Sequence, residues 1–320
     1  MLGGTAWLGR GVATLAASAG HEVVCVARGT SGEVAAGASL VVADRDRDDA
    51  LSPVAGERWD VVLDVASQPG HVRRAARDLA DVGHYVYVST ISVYLNAAQP
   101  GLDESAPLKD ALESDVMESM ETYGEAKVAC EQAVREAFAG RSTIVRAGLV
   151  GGPGDWSDRT TYWPHRFTLG SPVLVPDAPD QPAATVDGRD LTAFLLHAGE
   201  HRVDGTVNVV GHVVPLAEHL DTAARVAGST GEAVAASEEW LTAHGVGPWF
   251  GPRSLPVWLG DEERFLTGFR SDAALAAGLV MRPLEETLAD GLAWRSEHPD
   301  RPWRSGLSLD EENVLLDELT

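Results

Sequence analysis

The chain alternates between two spacings of apolar residues. After Met1-Leu2-Gly3-Gly4-Thr5-Ala6-Trp7-Leu8-Gly9-Arg10, Val12, Leu15, Ala16 and Ala19 recur at helical spacing until Gly20, which predicts a glycine turn opening a helix. Residues 22–27 follow as a short apolar run rich in β-branched side chains, the pattern of a strand buried on both faces of a parallel sheet. Similar runs at 40–43, 61–65, 85–89 and 143–146 predict further strands. Helices fall between them: Val72, Ala75, Ala76 and Leu79 mark one, and Ala126, Ala129, Cys130, Ala133, Val134 and Ala137 another. Strand alternating with helix predicts an α/β fold with a doubly wound parallel sheet. Past Val150 the texture changes. Gly151-Gly152-Pro153-Gly154 reads as a loop, and seven of the nine tryptophans lie beyond it. A helix at 191–200 and a buried strand at 206–210 nevertheless return the chain to the first sheet. The predicted division is residues 1–150 with about 183–214 in the sheet domain, and 151–182 with about 215–300 in a smaller, irregular C-terminal region. Residues 301–320 form an acidic tail, either an amphipathic helix or frayed.

Gly3, Ala6 and Gly9 hold the three positions of a G-x-x-G-x-x-G turn with Ala in the middle. Such a turn aims backbone N–H groups and a helix N-terminus at a pyrophosphate. A tight turn without ligand is the bland reading, and the helix and buried strand that follow favour the dinucleotide. Only Met1 and Leu2 precede Gly3. A central strand is thus nearly absent, and the expectation is that the native protein starts a few codons upstream, with about four to six Val/Ile/Leu-rich residues. At the end of the run 22–27, where a carboxylate would bind the ribose of NAD, stand Ala27 and Arg28. With Arg10 after the turn, two guanidiniums converge on an extra phosphate, which favours NADP over NAD; the alternative is two solvated surface arginines. Asp44 opens the charged run 44–49. A calcium loop fails there, because Asp49 stands where Gly is needed and Ala55 where Glu is needed. A solvated run with Asp44 near the adenine edge is the simpler reading.

Tyr123 and Lys127 carry the candidate chemistry. Lys127 is one of two lysines, Lys109 being the other, among 25 Lys and Arg residues. Residues four apart share a helix face, so the ammonium lies near the phenol and favours the phenolate. A tyrosine so placed can trade protons with a substrate hydroxyl or carbonyl. An accidental surface pair is the competing reading of these two residues alone.

Composition narrows the setting. With 320 residues and 44% hydrophobic content, one large or two small domains are affordable. No apolar run approaches membrane-spanning length and no basic segment precedes a hydrophobic one, so neither a membrane nor a secretory route is expected and cytoplasm is the default. Cys25 and Cys130 offer no disulfide framework and no zinc spacing, leaving no metal site in prospect. A net charge of −23 disfavours nucleic acid as a partner. No G-x-S-x-G elbow, H-E-x-x-H or Walker sequence is present, which removes common hydrolase and P-loop readings.

Taken in order, these residues resemble the extended short-chain dehydrogenase/reductase family, in particular its atypical NAD-dependent epimerase/dehydratase-like members. Gly3-Gly4-Thr5-Ala6-Trp7-Leu8-Gly9 is similar to the cofactor turn, and Ser89-Thr90-Ile91-Ser92-Val93-Tyr94 to the segment supplying the active-site hydroxyl. Residues 104–107 resemble the acidic-to-proline lead-in. Tyr123-Gly124-Glu125-Ala126-Lys127 with Glu131 resembles the helix signature, residues 146–154 the Arg-Pro-x-x-x-x-Gly-Pro-Gly segment, and residues 186–191 the later Val-x-Asp motif. The likeness spans roughly residues 1–290. It departs at Ala6, in place of Gly, and at Ala147, in place of Pro.

The resemblance implies a Rossmann sheet with a C-terminal substrate region. It makes Tyr123 the general acid/base, Lys127 the ammonium that supports it and holds the nicotinamide ribose, and Thr90 the hydroxyl donor, with Ser89 and Ser92 as rivals. Thr90 is preferred for its place four residues before Tyr94 and because Ser92 is expected to bond local backbone. Cofactor contacts fall to Gly3, Thr5, Ala6, Trp7, Leu8, Gly9, Arg10, Arg28, Asp44 and Lys127. The implied function is an NAD(P)-dependent reductase, dehydrogenase or epimerase acting on a small hydroxy or keto compound, a nucleotide sugar being one such, in a chain for which a homodimer is allowed. A non-catalytic cofactor-binding regulator or RNA-associated protein is the alternative. Trp163 and His165 are read either as lining the substrate pocket or as ordinary packing residues.

Overall fold

A computed structural model describes residues 1–95, 99–170 and 172–319. In chain order the elements are α1 (Trp7–Ser18), β1 (Val23–Ala27), β2 (Ala38–Val42), β3 (Val61–Asp64), α2 (Pro69–Asp78), β4 (His84–Thr90), α3 (Tyr123–Ala137), β5 (Ser142–Ala147), β6 (Leu149–Gly151), α4 (Tyr162–Thr168), β7 (Val173–Pro176) and β8 (Pro182–Asp187). There follow α5 (Gly188–Glu200), β9 (Gly205–Val209), β10 (His212–Pro215), α6 (Leu216–Val226), β11 (Ala233–Ala236), α7 (Glu238–Ala243), β12 (Gly247–Trp249), β13 (Ser254–Pro256), α8 (Asp272–Ala276), α9 (Leu284–Ser296) and α10 (Leu309–Leu319).

The main sheet is parallel. β1 pairs with β2, and β3, β4, β5 and β9 pair in that order. The apolar runs become strands because both faces are covered: every residue of β4 and β5 is buried, with α2 and α3 packed together on one side and α1 and α5 on the other. β9 completes this sheet beside β5, so the chain does return from its second region.

Leu2 joins the two halves. It bridges Val26 on one side and Asp64 on the other, its N–H donating to Leu63 O at 2.8 Å, while Gly3 N–H donates to Val26 O at 3.0 Å. Three residues therefore hold the central position at the carboxyl end of the seam between β1 and β3. Toward the amino end the seam opens into a cavity of about 710 Å³ lined by Val23 and Val24 of β1, Val62 and Leu63 of β3, and Val12 and Ala16 of α1. The Met1 ammonium closes its upper end, donating to Val24 O at 2.7 Å, and burial holds that amine below its ordinary pKa.

The second region has its own apolar core. Antiparallel β10–β8, parallel β8–β6 and the parallel pair β11–β7 form small sheets, around a cluster that includes Trp163, Trp258, Leu216 and Leu288. Within the stretch read as an acidic tail, α10 buries Leu315 and Leu316 in this core, and its buried Glu312 pairs with Arg166 of α4; Thr320 lies outside the described residues. The acidic residues thus face two ways, most to solvent and one inward to a guanidinium.

Candidate active site

The glycine turn sits where the Leu2 stub ends and α1 begins. Gly3 has φ +96°, and a Cβ there would stand 2.6 Å from Val65 Cγ2, so both backbone conformation and space require glycine. A side chain at Gly9 would run into the Gly3 carbonyl. Ala6 is the extended residue before α1 and is exposed, which lets its methyl point away from the packing. Trp7 bridges to the second region: its indole N–H donates to Pro153 O at 3.1 Å, and a Cβ at Gly154 would lie 2.6 Å from its Nε1. Thr5 is buried and Leu8 half-buried. Arg10 and Arg28 are both exposed, without an ion-pair partner among the described residues. Asp44 accepts from Asp46 N–H at 3.2 Å, in an exposed turn.

The run 44–49, read as solvated, is corrected at Arg45, which turns inward. Arg45 makes two bonds to Asp64, at 2.7 and 2.9 Å, and a third to His71 O. Asp64 also accepts from the Tyr85 hydroxyl and the Ala66 N–H. Burial alone would raise this carboxyl, yet the Arg45 guanidinium and these donors hold it below its ordinary value.

The segment carrying Tyr123 meets the end of β4 at very close range. A Cβ at Gly124 would collide with the Ser92 carbonyl oxygen, so glycine next to Tyr123 allows the start of α3 to dock against the turn that follows Thr90. Tyr123 itself is half-buried. One helical turn on, Lys127 is 2% exposed. Its ammonium donates to Ala66 O at 2.9 Å and Val88 O at 2.6 Å, 4.5 Å from the centre of the Tyr87 ring. The charge is thereby fixed between the ends of β3 and β4.

Thr90 and Ser92 share one hydrogen-bonded turn, and Ser89 stands apart from them. Thr90 Oγ1 accepts from the Ser92 N–H and donates to the Ser92 hydroxyl, both at 3.2 Å. The local backbone bond expected of Ser92 is thus made by Thr90, because an extended residue leading into a 3₁₀ turn places its hydroxyl over the amide two residues on. Ser89 donates to Glu131 at 2.6 Å inside the core. Glu131 is clamped by Arg146, with bonds of 3.0 and 2.8 Å. Arg146 also reaches the Tyr94 hydroxyl, which donates to Asn208. This network ties α3 to β4, β5 and β9. Burial pushes the Glu131 carboxyl up, and Arg146 with Ser89 more than reverses the push.

Of the two aromatic readings, Trp163 is core: it is fully buried and donates to Pro256 O. His165 lies against Trp303 with ring centres 4.7 Å apart and the planes tilted by 32°, and burial lowers its pKa. The sequence reading passed over Arg159, whose guanidinium lies over the Trp249 ring.

Solved structures share this architecture. An epimerase described as putative, from Burkholderia cenocepacia J2315, is 22% identical with a TM-score of 0.70, over 92% of this chain and 97% of that one. The UDP-N-acetylglucosamine 4-epimerase from Bacillus cereus is 15% identical with a TM-score of 0.65, over 91% and 94%. MoeE5, solved with UDP-glucose and NAD, is 18% identical with a TM-score of 0.61, over 93% and 98%. These likenesses establish the Rossmann-type fold. No curated protein sequence matches the chain. No helix among the described residues is long and apolar enough to cross a membrane. The sequence pattern of the NAD dependent epimerase/dehydratase family matches residues 1–211, and the chain accordingly belongs to that family of nicotinamide-dependent enzymes.

Proposed function

We propose that the chain is an NAD(P)-dependent epimerase or oxidoreductase in which Tyr123 moves the proton of a substrate hydroxyl or carbonyl, with a nucleotide sugar as the first substrate class to test. The observation that carries this reading is the Gly124 contact. It sets Tyr123 against the Thr90–Ser92 turn while Lys127 is locked between two strand ends.

The residues present fit a dinucleotide. Gly3 and Gly9 keep the turn bare of side chains, Thr5, Ala6, Trp7 and Leu8 belong to it, and Lys127 would hold the nicotinamide ribose. Exposed Arg10 and Arg28 would take a 2′-phosphate and Asp44 would lie near the adenine edge, a reading that favours NADP over NAD. When bound, the nicotinamide supplies a hydride acceptor and donor. Tyr123 gives or takes the hydroxyl proton, and Thr90 or Ser92 donates a hydrogen bond to the reacting oxygen. Lys127 holds a positive charge nearby without moving, because two of its three donors are committed to carbonyls.

Lys127→Arg tests this arrangement. A planar guanidinium cannot occupy the slot between Ala66 O and Val88 O as a point charge, so turnover should be lost while the fold, followed by circular dichroism, is kept. Full activity in Lys127→Arg would remove Lys127 from the mechanism.

A further inference from the structure

The loop after Gly154 presents an arginine toward the site. Asp155 organises the loop: one carboxylate oxygen accepts from the N–H and hydroxyl of Ser157, the other from the N–H and hydroxyl of Thr160. Asp158, with φ +60°, is held by Arg301 and the Arg304 N–H. Pro153 is bonded to Trp7 of the glycine turn, so the loop is tied to the cofactor side as well.

Arg159 projects from this frame. Its Nε donates to Ser157 Oγ at 3.0 Å, and its guanidinium carbon lies 4.7 Å from the Trp249 ring centre and 5.9 Å from that of Phe250. Among the described residues no carboxylate pairs with it, and its two terminal nitrogens make no hydrogen bond. Other buried or half-buried arginines have acceptors for their terminal nitrogens: Arg45, Arg146, Arg166 and Arg301 pair with Asp64, Glu131, Glu312 and Asp158, and Arg74, Arg141 and Arg295 donate to backbone carbonyls. Burial pulls the Arg159 pKa down, with Asp155 and Tyr123 acting against it, which puts the guanidinium within electrostatic reach of Tyr123. Around it two aromatic rings face solvent, Trp156 at 55% and Phe250 at 45% exposure, in edge contact at 6.0 Å.

A half-buried guanidinium whose terminal nitrogens meet no acceptor among the described residues is conspicuous in a chain of net charge −23. We propose that Arg159, with Trp156, Trp249 and Phe250, forms a subsite for an anionic group of the substrate, so that the molecule on which Tyr123 acts carries a carboxylate or phosphate beside an apolar or ring face. This deepens the function proposed above and rests on it for the identity of the reacting end. The guanidinium fork takes two oxygens of the anion, and the rings cover the adjoining face of the ligand.

Calorimetric titration with UDP, malonate and uncharged uridine tests the subsite. Wild type should bind UDP if the anion is a phosphate or malonate if it is a carboxylate, and Arg159→Gln should weaken that binding at least tenfold. Arg159→Lys should recover only part, because the fork and the stack are lost. Uridine should bind both proteins alike, and NADPH affinity should be unchanged in Arg159→Gln, reporting an intact fold. Phe250→Ala, at an exposed position, should weaken binding of whichever anion wild type takes and leaves the question decidable if Arg159→Gln fails to fold. Tyr123→Phe should bind the anion as wild type does, which separates this subsite from the catalytic assignment. Wild type binding neither anion, or Arg159→Gln or Phe250→Ala binding as tightly as wild type, would overturn the proposal.

Discussion

The two ends of the seam between β1 and β3 are built differently. At the carboxyl end, Leu2 bridges both strands and charged side chains are locked in pairs, Arg45 with Asp64 beside the seam and Arg146 with Glu131 two strands away. At the amino end a cavity of about 710 Å³ lies beside Val23 and Val24, which are only partly buried. Every candidate catalytic and cofactor residue sits at the first end. The site is thus held by polar networks at the strand ends, and the cavity lies away from the candidate residues.

Breaking the first end should have the largest effect on folding. Glu131→Ala leaves Arg146 buried without its partner and should cost about 3–5 kcal/mol, read from urea unfolding. A loss below about 1 kcal/mol would mean that the Glu131 network does not anchor α3. Filling the second end should act in the opposite direction. A Val-Ile-Val-Leu segment placed ahead of Met1 can run parallel between β1 and β3. Each buried side chain contributes about 1.5–3 kcal/mol against about 1–2 kcal/mol of backbone ordering per residue. The melting temperature should rise, with NADPH affinity unchanged. An unchanged melting temperature would show that the slot does not accept a strand.

Arg28, just beyond the carboxyl end of β1, gives a smaller effect. Arg28→Ala should weaken NADPH binding by ~1.5–3 kcal/mol, the size of a hydrogen bond to a charged group, and NADH binding much less. Equal wild-type affinities for the two nucleotides would end the preference for NADP.

The smallest effect is in pH dependence, where both ends make stability rise with pH, each over its own range. Asp64 and Glu131 are both held below the ordinary carboxylate range. Their stabilisation is complete above about pH 4–4.5 and is lost as pH falls through the lower folded values. The buried Met1 amine is also lowered. Between its folded value and about pH 8 the unfolded chain binds more protons, so stability rises with pH there. Melting curves across that range should show this rise in a protein beginning at Met1, and none in the extended version.

Much of this was legible in the sequence because the relevant signals are local. Runs such as 61–65 and 85–89 are rich in Val, Leu and Tyr and carry one polar residue each, Asp64 and Ser89, and strands buried on two faces need such runs. The glycine at 124 is a visible part of the helix signature, although its reason, the Ser92 carbonyl, appears only in three dimensions. Arg45 was not legible: in an alternating charge run, the residue that turns inward is decided by Asp64, 19 positions away. Glu312 was hidden in the same way, its partner Arg166 standing 146 positions earlier. Leu2 was read as too little strand, and it bonds to both neighbours at one position only, toward the carboxyl end of the seam. Arg159 sits in an irregular loop, where no periodicity marks a side chain that lacks a partner.

The most direct test of the central assignment is Tyr123→Phe, assayed on a substrate found by screening nucleotide sugars and hydroxy acids for a change in nicotinamide absorbance. Turnover should fall by ~10²–10⁴-fold, the range of general acid–base catalysis, with cofactor affinity within a few-fold of wild type. A variant that keeps more than about a tenth of wild-type turnover would contradict Tyr123 as the proton relay.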